Sequence, residues 1–574
     1  NLFYIVGFVA FGMVILAVKK LPQAMLRLFA YFVISRRYKV DVTGFENLPK
    51  EGGVLLIGNH VSWIDWIIIS MASVRRIHFV MERAIYEKWY VKMYVRHFNP
   101  IPISTRGGAK AREMIQQRLG EGEVVCIFPE GVISRNGHLG EFYKGFERFA
   151  KNAKGVIVPF YMQGLWGTAF SRSTKKLRAN TKTAGKRNIV VAFGKALPIE
   201  SSRVIVKKAV FELSFVAWRR YSDSFNTIQY SWLKMAKKRK KALAVADTLG
   251  TELSSQRLLT GTLLFAKEIK KISPEKYIGL MLPTTAGGVI ANMATLVNGK
   301  VVCNLNYTAG ERAIRAAIEK ADIKTLYTAH AFVDKLKDRG LDVNALGDVV
   351  NIIYLEDIKK NLSKVQSLLM LLCVKFLPTA VLKALYFKDA HIDDTAEIMF
   401  SSGSEGEPKG IELTHRNVIT NARQISSVAN IQDDDIFMSV LPLFHAMGLN
   451  IMAIKPLIEG VPFICHPDPT DGESIGKAIA KYKATVLVST STFYRIYTKN
   501  KKVHPLMFES LRLTVAGAEK LTDDVAREVK EKFGKTILQG YGATETSPVA
   551  GCNMPDHLDT DYWIVQTANK PGTV

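Results

Sequence analysis

The sequence predicts an α/β protein built from more than one large domain, and three observations support this. The chain has 574 residues, which is too long for one ordinary hydrophobic core. Its hydrophobic content of 48% and charged content of 23% are typical of globular proteins. Short apolar runs alternate with helix-like stretches such as Ala109 to Leu119, as expected for a layered arrangement of strands and helices.

The start of the chain predicts a membrane anchor over residues 1–38. Leu2 to Val18 is almost wholly apolar, and the pair Lys19-Lys20 follows it, as at the cytoplasmic end of a membrane helix. Leu21 to Ile34 closes on two arginines and predicts a helix at the bilayer interface. Two buried core helices are the alternative interpretation. Because the chain begins at Asn1, we expect it to be a piece of a longer protein.

The charge of the chain predicts an acidic partner. A formal net charge of +26 exceeds what solubility requires, and nucleic acid, an anionic membrane surface or an acidic protein would each complement it. Basic residues cluster from Arg172 to Arg187 and from Lys237 to Lys241. Such runs are commonly solvated faces, and contact with lipid headgroups or an acidic carrier is the alternative. We expect no nucleic acid partner, because no zinc knuckle, helix-turn-helix pattern or stacking aromatic residues accompany the charge.

Cysteine usage predicts a reducing compartment. The five cysteines are widely scattered, with no Cys-x-x-Cys pair and no zinc-binding spacing. They are Cys126, Cys303, Cys373, Cys465 and Cys552. We therefore expect the catalytic part of the chain to lie in the cytoplasm.

A histidine follows the apolar run Val54 to Ile57 in the first half of the chain. His60 is followed five residues later by Asp65, the arrangement needed when an imidazole takes a proton from a hydroxyl and a carboxylate orients it. A purely structural His–Asp pair is the alternative. Three more strand-like runs end in loops with reactive or phosphate-binding residues, and these loops contain Pro102 to Arg106, Phe128 to Gly131, and Val158-Pro159.

The order of these four blocks resembles the glycerolipid acyltransferase family. The resemblance implies an acyltransferase domain over residues 39–221, with His60 as general base on a glycerol hydroxyl and Asp65 as its orienter. It also implies that Arg106 and Glu130, with Gly131, bind the phosphate of the acceptor. The third block continues Val-Ile-Ser-Arg where the family commonly has Thr-Arg-Ser, so no role is assigned to Ser134 or Arg135.

A second domain is predicted over residues 222–574, after a polar linker at Tyr221 to Asn226. Its most informative stretch is Phe400 to Gly410, a loop rich in glycine and serine that follows the strand-like Glu397 to Phe400. Backbone N–H groups and hydroxyls at this density can wrap phosphate oxygens, with Lys409 adding charge. It is not a Walker loop, which would need Gly-Lys-Ser/Thr at the start of a helix. A surface loop is the alternative.

This loop and three later motifs resemble the acyl-adenylate-forming superfamily, which uses ATP and Mg²⁺. The later motifs are Leu441 to His445, Ala516 to Glu519, and Tyr541 to Glu545. The resemblance implies that His445 gates the acyl pocket and that Glu545 binds Mg²⁺. It implies nucleotide contacts for Ser401, Ser402, Gly403, Ser404, Gly406, Lys409, Gly410, Gly517, Ala518, Glu519, Tyr541, Gly542 and Thr544. Glu405 departs from the usual threonine, and we expect its carboxylate to point away from the triphosphate or to bind it through Mg²⁺.

Three further features resemble one bacterial branch, the bifunctional enzymes that charge acyl carrier protein and acylate lysophosphatidylethanolamine. They are the Ser-Gly-Ser-Glu-Gly form of the loop, Asn304 to Gly310, and Ser489 to Phe493. The resemblance implies fatty acid and lysophospholipid substrates and the phosphopantetheine of acyl carrier protein. It also implies a place on the cytoplasmic side of the bacterial inner membrane. Some relatives are fused behind a lysophospholipid transporter, whose last helix Leu2 to Val18 would be.

The end of the chain departs from the superfamily. Its members carry a small C-terminal subdomain with a Thr-Gly-Asp motif and a catalytic lysine, and nothing after Glu545 matches these features. We therefore expect residues 222–574 to be the large N-terminal part of such a domain, truncated at its C-terminus. Two alternatives remain: an adenylation half that only binds the carrier, or a structural tail of the transporter.

One apolar stretch of the second domain, Val365 to Phe387, is too interrupted by Lys375 and Pro378 to span a bilayer. A buried core helix is the default interpretation. A helix lying at the membrane interface is the alternative.

Overall fold

A computed structural model describes residues 31–89, 91–92, 98–104, 108–181, 186–402, 407–429, 431–559, 564–567 and 569–572. The predicted helix Leu2 to Val18, the phosphate-binding candidate Arg106, and the loop residues Gly403, Ser404 and Gly406 therefore lie outside the described residues. The chain forms two compact units. One comprises the residues up to Ser224 together with 557–567, and the other comprises Phe225 to Asp556 together with 568–574.

The first unit is built on one mixed, mostly parallel sheet of eight strands. In spatial order seven of them are Tyr38–Thr43, Arg187–Phe193, Val156–Gln163, Val54–Gly58, Val124–Ile127, Ile77–Glu82 and Ile101–Ile103, and Leu197–Pro198 pairs with Val156–Gln163. The helices are Asp65–Ala72, Arg83–Tyr86, Ala109–Gly120, Gly145–Ala150, Lys175–Thr181 and Arg203–Ser222, and residues 31–37 are also helical. A 3₁₀ turn spans Phe45–Asn47. The predicted strands and the predicted Ala109 helix are confirmed.

Apolar clusters cover both faces of this sheet, because successive side chains of a strand point to opposite sides. In the central strand Val54–Gly58, Val54 and Leu56 join one cluster, whereas Leu55 and Ile57 join the other. All four side chains are fully buried. This explains why the strand is an unbroken apolar run rather than an alternating one.

The predicted basic run from Arg172 to Arg187 is not a uniformly solvated face. Arg187 is buried at the start of its strand, where Nε donates to the carbonyl of Gly164 over 2.6 Å and Nη1 to that of Gly167 over 3.1 Å. Nη2 donates to the carbonyl of Trp166. A planar guanidinium satisfies three carbonyls of one turn, so the charge serves the fold rather than a partner.

The second unit contains two sheets. The larger has the order Glu252–Ser254, Leu243–Asp247, Phe463–Cys465, Phe437–Ser439, Val486–Ser489, Leu513–Ala516, Ile537–Gly542 and Val549–Cys552. The smaller has the order Asn351–Tyr354, Thr325–Thr328, Tyr277–Leu280, Val301–Asn304, Thr395–Ser402 and Pro408–Thr414. The strands in the middle of both sheets are parallel, as in an α/β fold. The hairpin that pairs His557–Asp559 with Ile564–Gln566 belongs to the first unit.

Helices surround these sheets. They are Ile228–Arg239, Ser255–Ile272, Ala286–Val297, Glu311–Lys320, His330–Asp338, Leu355–Asn361, Lys364–Phe376, Thr379–Tyr386, His415–Ala429, Lys455–Glu459, Gly472–Tyr482, Ser491–Lys499 and Asp523–Phe533, with a π-helix at Met447–Ile454. Short 3₁₀ turns span Val343–Asp348, Pro505–Phe508 and Thr544–Thr546. The predicted linker is shorter than expected, because Tyr221 and Ser222 complete the helix Arg203–Ser222 and only 223–227 separate it from the next helix.

Two further expectations can be compared with the structure. Where the chain is described, it contains no helix with both the length and the apolarity that crossing a bilayer demands. The stretch Val365 to Phe387 forms two helices that place Met370, Val374 and Leu382 in the core and leave other apolar side chains exposed, so the prediction of a buried core helix is confirmed only in part. All five cysteines are free thiols.

Replacing Arg187 by alanine should lower the free energy of unfolding by about 3 kcal/mol, because three carbonyls of the Gly164 turn lose their charged donor. Chemical denaturation followed by circular dichroism measures the change. Lys186→Ala removes an exposed neighbouring cation and should leave the transition in place. Equal midpoints for the two variants would contradict a structural role for Arg187.

Candidate active sites

The first candidate site lies at the carboxyl end of the strand Val54–Gly58. Here His60 Nδ1 lies 2.8 Å from Asp65 Oδ2. The histidine side chain is 21% exposed, whereas the Asp65 side chain is fully buried. A buried carboxylate bound at Nδ1 fixes the tautomer and leaves Nε2 as the proton acceptor. The structure thus brings the predicted catalytic pair together in the geometry that a general base requires.

Asp65 is held by donors from its own loop. Oδ2 also accepts the backbone N–H groups of Val61 and Ser62, over 2.8 and 3.0 Å, and Oδ1 accepts the hydroxyl of Ser62 over 2.6 Å. The residue begins the helix Asp65–Ala72, where the helix dipole favours a negative charge. These contacts compensate the cost of burying a carboxylate and fix the direction from which it faces the imidazole.

Other side chains fix the histidine ring and its loop. The imidazole stacks on Phe128, with ring centroids 4.2 Å apart and planes 15° from parallel. The Asn59 side chain pairs with the backbone of Met162, donating over 3.0 Å and accepting over 2.8 Å. These contacts attach the loop to the two strands on either side of Val54–Gly58. The Asn59 contact reaches Val156–Gln163, and the Phe128 contact reaches the end of Val124–Ile127.

Glu130 lies beside the loop, and its place differs from that expected for a phosphate ligand. Its buried carboxylate accepts the backbone N–H of His60 over 2.8 Å and that of Gly140 over 2.7 Å. Burial raises the pKa of Glu130 to about 8, although these two hydrogen bonds oppose the rise. Both oxygens accept backbone N–H groups, so Glu130 holds the loop that carries His60. Its role at the acceptor phosphate stays a prediction.

Gly131 follows Glu130 in a tight turn, with φ of +71°, and its N–H donates to the carbonyl of Phe128 over 3.1 Å. An added Cβ would meet the ring of Tyr143 at 3.4 Å. The glycine is needed for the turn that aims Glu130 inward. The third phosphate-binding candidate, Arg106, lies outside the described residues.

The second candidate site lies at the carboxyl ends of four strands in the larger sheet of the second unit. Parallel strands bring the residues after them to one edge, which is where α/β proteins bind ligands. Gly517 follows Leu513–Ala516, Thr490 follows Val486–Ser489, Thr544 follows Ile537–Gly542, and His445 comes after Phe437–Ser439. The sequence motifs, separated along the chain, are therefore gathered at one edge.

The phosphate-loop candidate belongs to a hairpin of the smaller sheet. Ser401 pairs with Lys409 and Ser402 with Pro408, so the glycine-rich segment joins two antiparallel strands. Lys409 and Gly410 are exposed. The turn Thr544–Thr546 packs against the strand Pro408–Thr414, and Asn421 Nδ2 donates to the carbonyl of Val549 over 2.7 Å. These contacts bring the end of the larger sheet to the base of the phosphate loop.

The Gly517 motif is a close approach of two strand ends. Gly517 N–H donates to the carbonyl of Ser489 over 3.1 Å, and an added Cβ would meet the Met447 side chain at 3.2 Å. Ala518 adopts φ of +67°, which is strained for a residue with a Cβ. Both Glu519 oxygens accept from Thr492, one from its backbone N–H and the other from its hydroxyl over 2.9 Å. Partial burial would raise the pKa of Glu519, but these bonds lower it.

Of the remaining nucleotide candidates, Tyr541 is exposed, and Gly542 lies where an added Cβ would meet the carbonyl oxygen of Pro548 at 1.9 Å. Glu545 is exposed at the tip of the Thr544–Thr546 turn. His445 is half-buried at the entrance to the π-helix, accepts the N–H of Met447 at Nδ1, and has a pKa lowered by burial. π-Helical turns are frequent at functional sites.

Sequence reasoning missed several residues that hold these sites. Asn59 adjoins His60, Ser62 lies between His60 and Asp65, and Phe128 begins the block Phe128 to Gly131, so their places in these motifs were an available signal. No sequence signal identifies Gly140. The same holds for Asn450 of the π-helix, whose Nδ2 donates over 2.7 Å to the buried Glu397 on the strand that leads to the phosphate loop. Burial raises the pKa of Glu397 to about 7.

The raised pKa of Glu130 predicts a pH-dependent stability difference. Since the folded pKa of about 8 exceeds the ordinary value of 4.5, the protonated form is favoured in the fold. The contribution of Glu130 to the free energy of unfolding is therefore fully present below pH 4.5 and is lost as the pH rises towards 8. Relative to Glu130→Gln, the wild type should lose free energy of unfolding over this range, as measured by denaturation at several pH values. Glu212→Gln, at an exposed position, should run parallel to the wild type, and a parallel curve for Glu130→Gln would refute the assignment.

Comparison with known proteins relates both units to described families. Residues 39–163 match the family model described as Acyltransferase, and residues 233–573 match the model described as AMP-binding enzyme. The chain is 32% identical over 176 residues to a long-chain-fatty-acid–CoA ligase of Haemophilus influenzae, covering 29% of this chain and 31% of that protein.

Longer matches have lower identity. A 4-coumarate–CoA ligase of Pinus taeda is 29% identical over 282 residues, covering 48% of this chain and 49% of that protein. A long-chain-fatty-acid–CoA ligase of Escherichia coli O157:H7 is 25% identical over 307 residues, covering 50% and 53%. The chain thus spans about half the length of these curated relatives.

Among solved structures, a benzoate CoA ligase from Burkholderia xenovorans is similar with a TM-score of 0.49 and 18% identity, over 61% of this chain and 66% of that one. The AMP-binding match covers more than half of the sequence, and the acyltransferase match precedes it. The chain therefore belongs to the AMP-binding enzyme family and carries an acyltransferase domain ahead of its AMP-binding domain.

Proposed function

We propose that the chain joins two activities of lipid metabolism. Residues 222–574 activate a fatty acid with ATP as an acyl-adenylate and transfer the acyl group to a carrier thiol. Residues 39–221 move the acyl group from that thioester to the free hydroxyl of a lysophospholipid. The observation that carries the proposal is the pair of His60 and buried Asp65 at 2.8 Å, on a chain that also gathers a nucleotide-binding edge.

The acyl transfer is derived from the geometry of His60. Nε2 takes the proton of the acceptor hydroxyl while its oxygen attacks the thioester carbonyl carbon. Asp65 at Nδ1 stabilises the imidazolium that forms, and Phe128 supports the ring face. When the carbon–sulfur bond breaks, the imidazolium returns the proton to the leaving thiolate. Arg106 remains the proposed ligand of the acceptor phosphate.

The adenylation site is proposed at the edge that Gly517, Thr544 and the phosphate-loop hairpin share. Ser401, Lys409 and Gly410, with the loop between them, would bind the phosphates of ATP, and the Gly517 to Glu519 turn would lie along the adenine. No group of three or more His, Cys, Asp or Glu side chains in the described ranges is arranged to hold a metal. By the motif resemblance, Mg²⁺ would be bound by the exposed Glu545 together with nucleotide phosphates, whose charge it neutralises.

The identities of the acyl donor and acceptor are part of the proposal. The names of the curated relatives support a long-chain fatty acid as substrate and coenzyme A as a possible thiol. The motif resemblance supports the phosphopantetheine of acyl carrier protein and lysophosphatidylethanolamine. A net charge of +26 favours an acidic carrier, since opposite charges speed encounter.

We further propose that the chain works on the cytoplasmic side of the bacterial inner membrane. The apolar run Leu2 to Val18, followed by two lysines, supports an anchor there. A lysophospholipid transporter fused or associated upstream would deliver the acceptor to the same membrane.

His60→Ala should lower the rate at which lysophosphatidylethanolamine is acylated from a preformed acyl thioester of acyl carrier protein. We expect a decrease of about a thousandfold, because the acceptor hydroxyl loses its base. Radiolabelled acyl transfer measures the rate. His391→Ala removes an exposed histidine of the second unit and should leave the rate unchanged. Intact acylation by His60→Ala would refute the catalytic assignment and favour the structural tail of a transporter.

Glu545→Gln should lower fatty-acid-dependent ATP–pyrophosphate exchange about 100-fold, because Mg²⁺ loses its protein carboxylate. Acyl transfer from a preformed acyl thioester of acyl carrier protein should stay unchanged, which separates the two activities. Glu531→Gln removes an exposed carboxylate on the helix Asp523–Phe533 and serves as the matched control. If no exchange is seen even after the C-terminal subdomain with its catalytic lysine is restored to the chain, the adenylation half is a carrier-binding module.

A further inference from the structure

The helices Lys364–Phe376 and Thr379–Tyr386 present an uncovered apolar face. We define this face by seven side chains that all count as exposed: Val365, Leu368, Leu369, Leu372, Phe376, Val381 and Leu385. Val365 and Phe376 are 67% and 69% exposed, and Leu385 is 62% exposed. Contiguous exposed apolar surface is uncommon on soluble proteins and marks a contact with something else.

The positions follow the period of a helix. The five members on the first helix are spaced by three, one, three and four residues, so they form one stripe. The opposite side carries Met370 and Val374, which are buried, and the helix packs there against Ser255–Ile272. The helix therefore has two apolar faces, and only one of them packs against the rest of the unit.

Hydrogen bonds stabilise both ends of the helix Lys364–Phe376. A capping box joins Ser363 and Gln366 at its start, with bonds of 3.1 Å in both directions. At its end, Lys237 Nζ donates to the carbonyl of Val374 over 2.6 Å, where a cation also complements the helix dipole. Both ends are thus held, and the stripe keeps its orientation towards solvent.

Cations outnumber acids beside the face, although Lys383 Nζ forms an ion pair with Asp389 Oδ1 at 2.8 Å. From Ser363 to Lys388 the chain has four lysines, Lys364, Lys375, Lys383 and Lys388, with no Asp or Glu. Lys375 Nζ lies 4.9 Å from the ring centroid of Phe376. The neighbouring helix Ile228–Arg239 carries Tyr230 and Lys234. Lys234 Nζ and Lys383 Nζ lie over the Tyr230 ring, 4.4 and 5.0 Å from its centroid. The apolar stripe is therefore bordered by positive charge.

We propose that this face docks the second unit on an anionic lipid surface. Leucine and phenylalanine side chains would enter the boundary between headgroups and acyl chains, and the lysines would extend to the phosphates. Basic residues beside an apolar stripe match the charge of such a surface, whereas a protein partner would need acidic residues placed around a complementary groove. The inference does not depend on either catalytic assignment. If the proposed function holds, docking would place the adenylation site where fatty acids partition.

The test uses the full chain reconstituted into phosphatidylglycerol vesicles that contain spin-labelled lipid. A fluorophore is attached at Phe376→Cys, in a Cys373→Ser, Cys552→Ser background that removes the two cysteines outside the core. We expect the spin-labelled lipid to quench this fluorophore. A fluorophore at Leu249→Cys, on an exposed turn after the strand Leu243–Asp247, is the matched control and should not be quenched.

Two variants test the physical basis of docking. Leu368→Ser with Leu369→Ser should lower the ratio of molecules with the face inserted in the lipid to molecules with the face in water. We expect a decrease of about tenfold or more, because apolar area is lost. Lys364→Gln with Lys375→Gln, or replacement of the anionic lipid by phosphatidylcholine, should lower the ratio about fivefold per lost lysine contact. Val349→Ser with Leu506→Ser alters two exposed aliphatic residues elsewhere and should have no effect.

The outcomes separate lipid from other occupants. A blue-shifted emission at position 376 without quenching by lipid would mean that protein covers the face, either another part of this chain or a second copy, and would overturn the proposal. Absence of both blue shift and quenching would overturn it too. Equal quenching at positions 376 and 249 would show that the face has no special relation to the membrane.

Discussion

A carboxylate that is removed from water must be given other donors, and the first unit is organised by this requirement at Asp65. Its two oxygens receive two backbone N–H groups, one hydroxyl and the imidazole of His60. The loop from Asn59 to Asp65 provides all of these donors. Because the carboxylate engages Nδ1, Nε2 of the histidine is left as the proton acceptor. Stability and reactivity are thus decided by one set of contacts.

Much of the fold could be predicted because its strands are short apolar runs with glycine or polar residues after them. The strand Val54–Gly58 extends the predicted run Val54 to Ile57 by one residue. Arg187 could not be placed, since a buried guanidinium and a solvated one look alike in sequence. The exposed stripe of the helix after Ser363 could not be told from its buried side, because composition reports how apolar a segment is and not whether anything covers it.

The candidate sites show the same division. The pairing of His60 with Asp65 followed from spacing and residue chemistry. The position of Glu130 did not, because its two partners are backbone groups, and backbone groups leave no trace in the residue pattern. Glu519 likewise holds Thr492 in place. Motif positions can therefore mark a site correctly while the atoms that a carboxylate contacts belong to the scaffold of that site.

The proposed nucleotide edge draws its residues from two sheets, which meet where the Thr544 turn packs on the strand Pro408–Thr414 and where Asn450 reaches Glu397. Neither sheet alone carries the full set of residues proposed to contact the phosphates and the adenine. A screen for substitutions that weaken ATP binding should therefore return buried positions between the sheets, in addition to residues of the glycine-rich loop. Many such substitutions would then alter the packing between the two sheets without changing a residue proposed to contact the nucleotide.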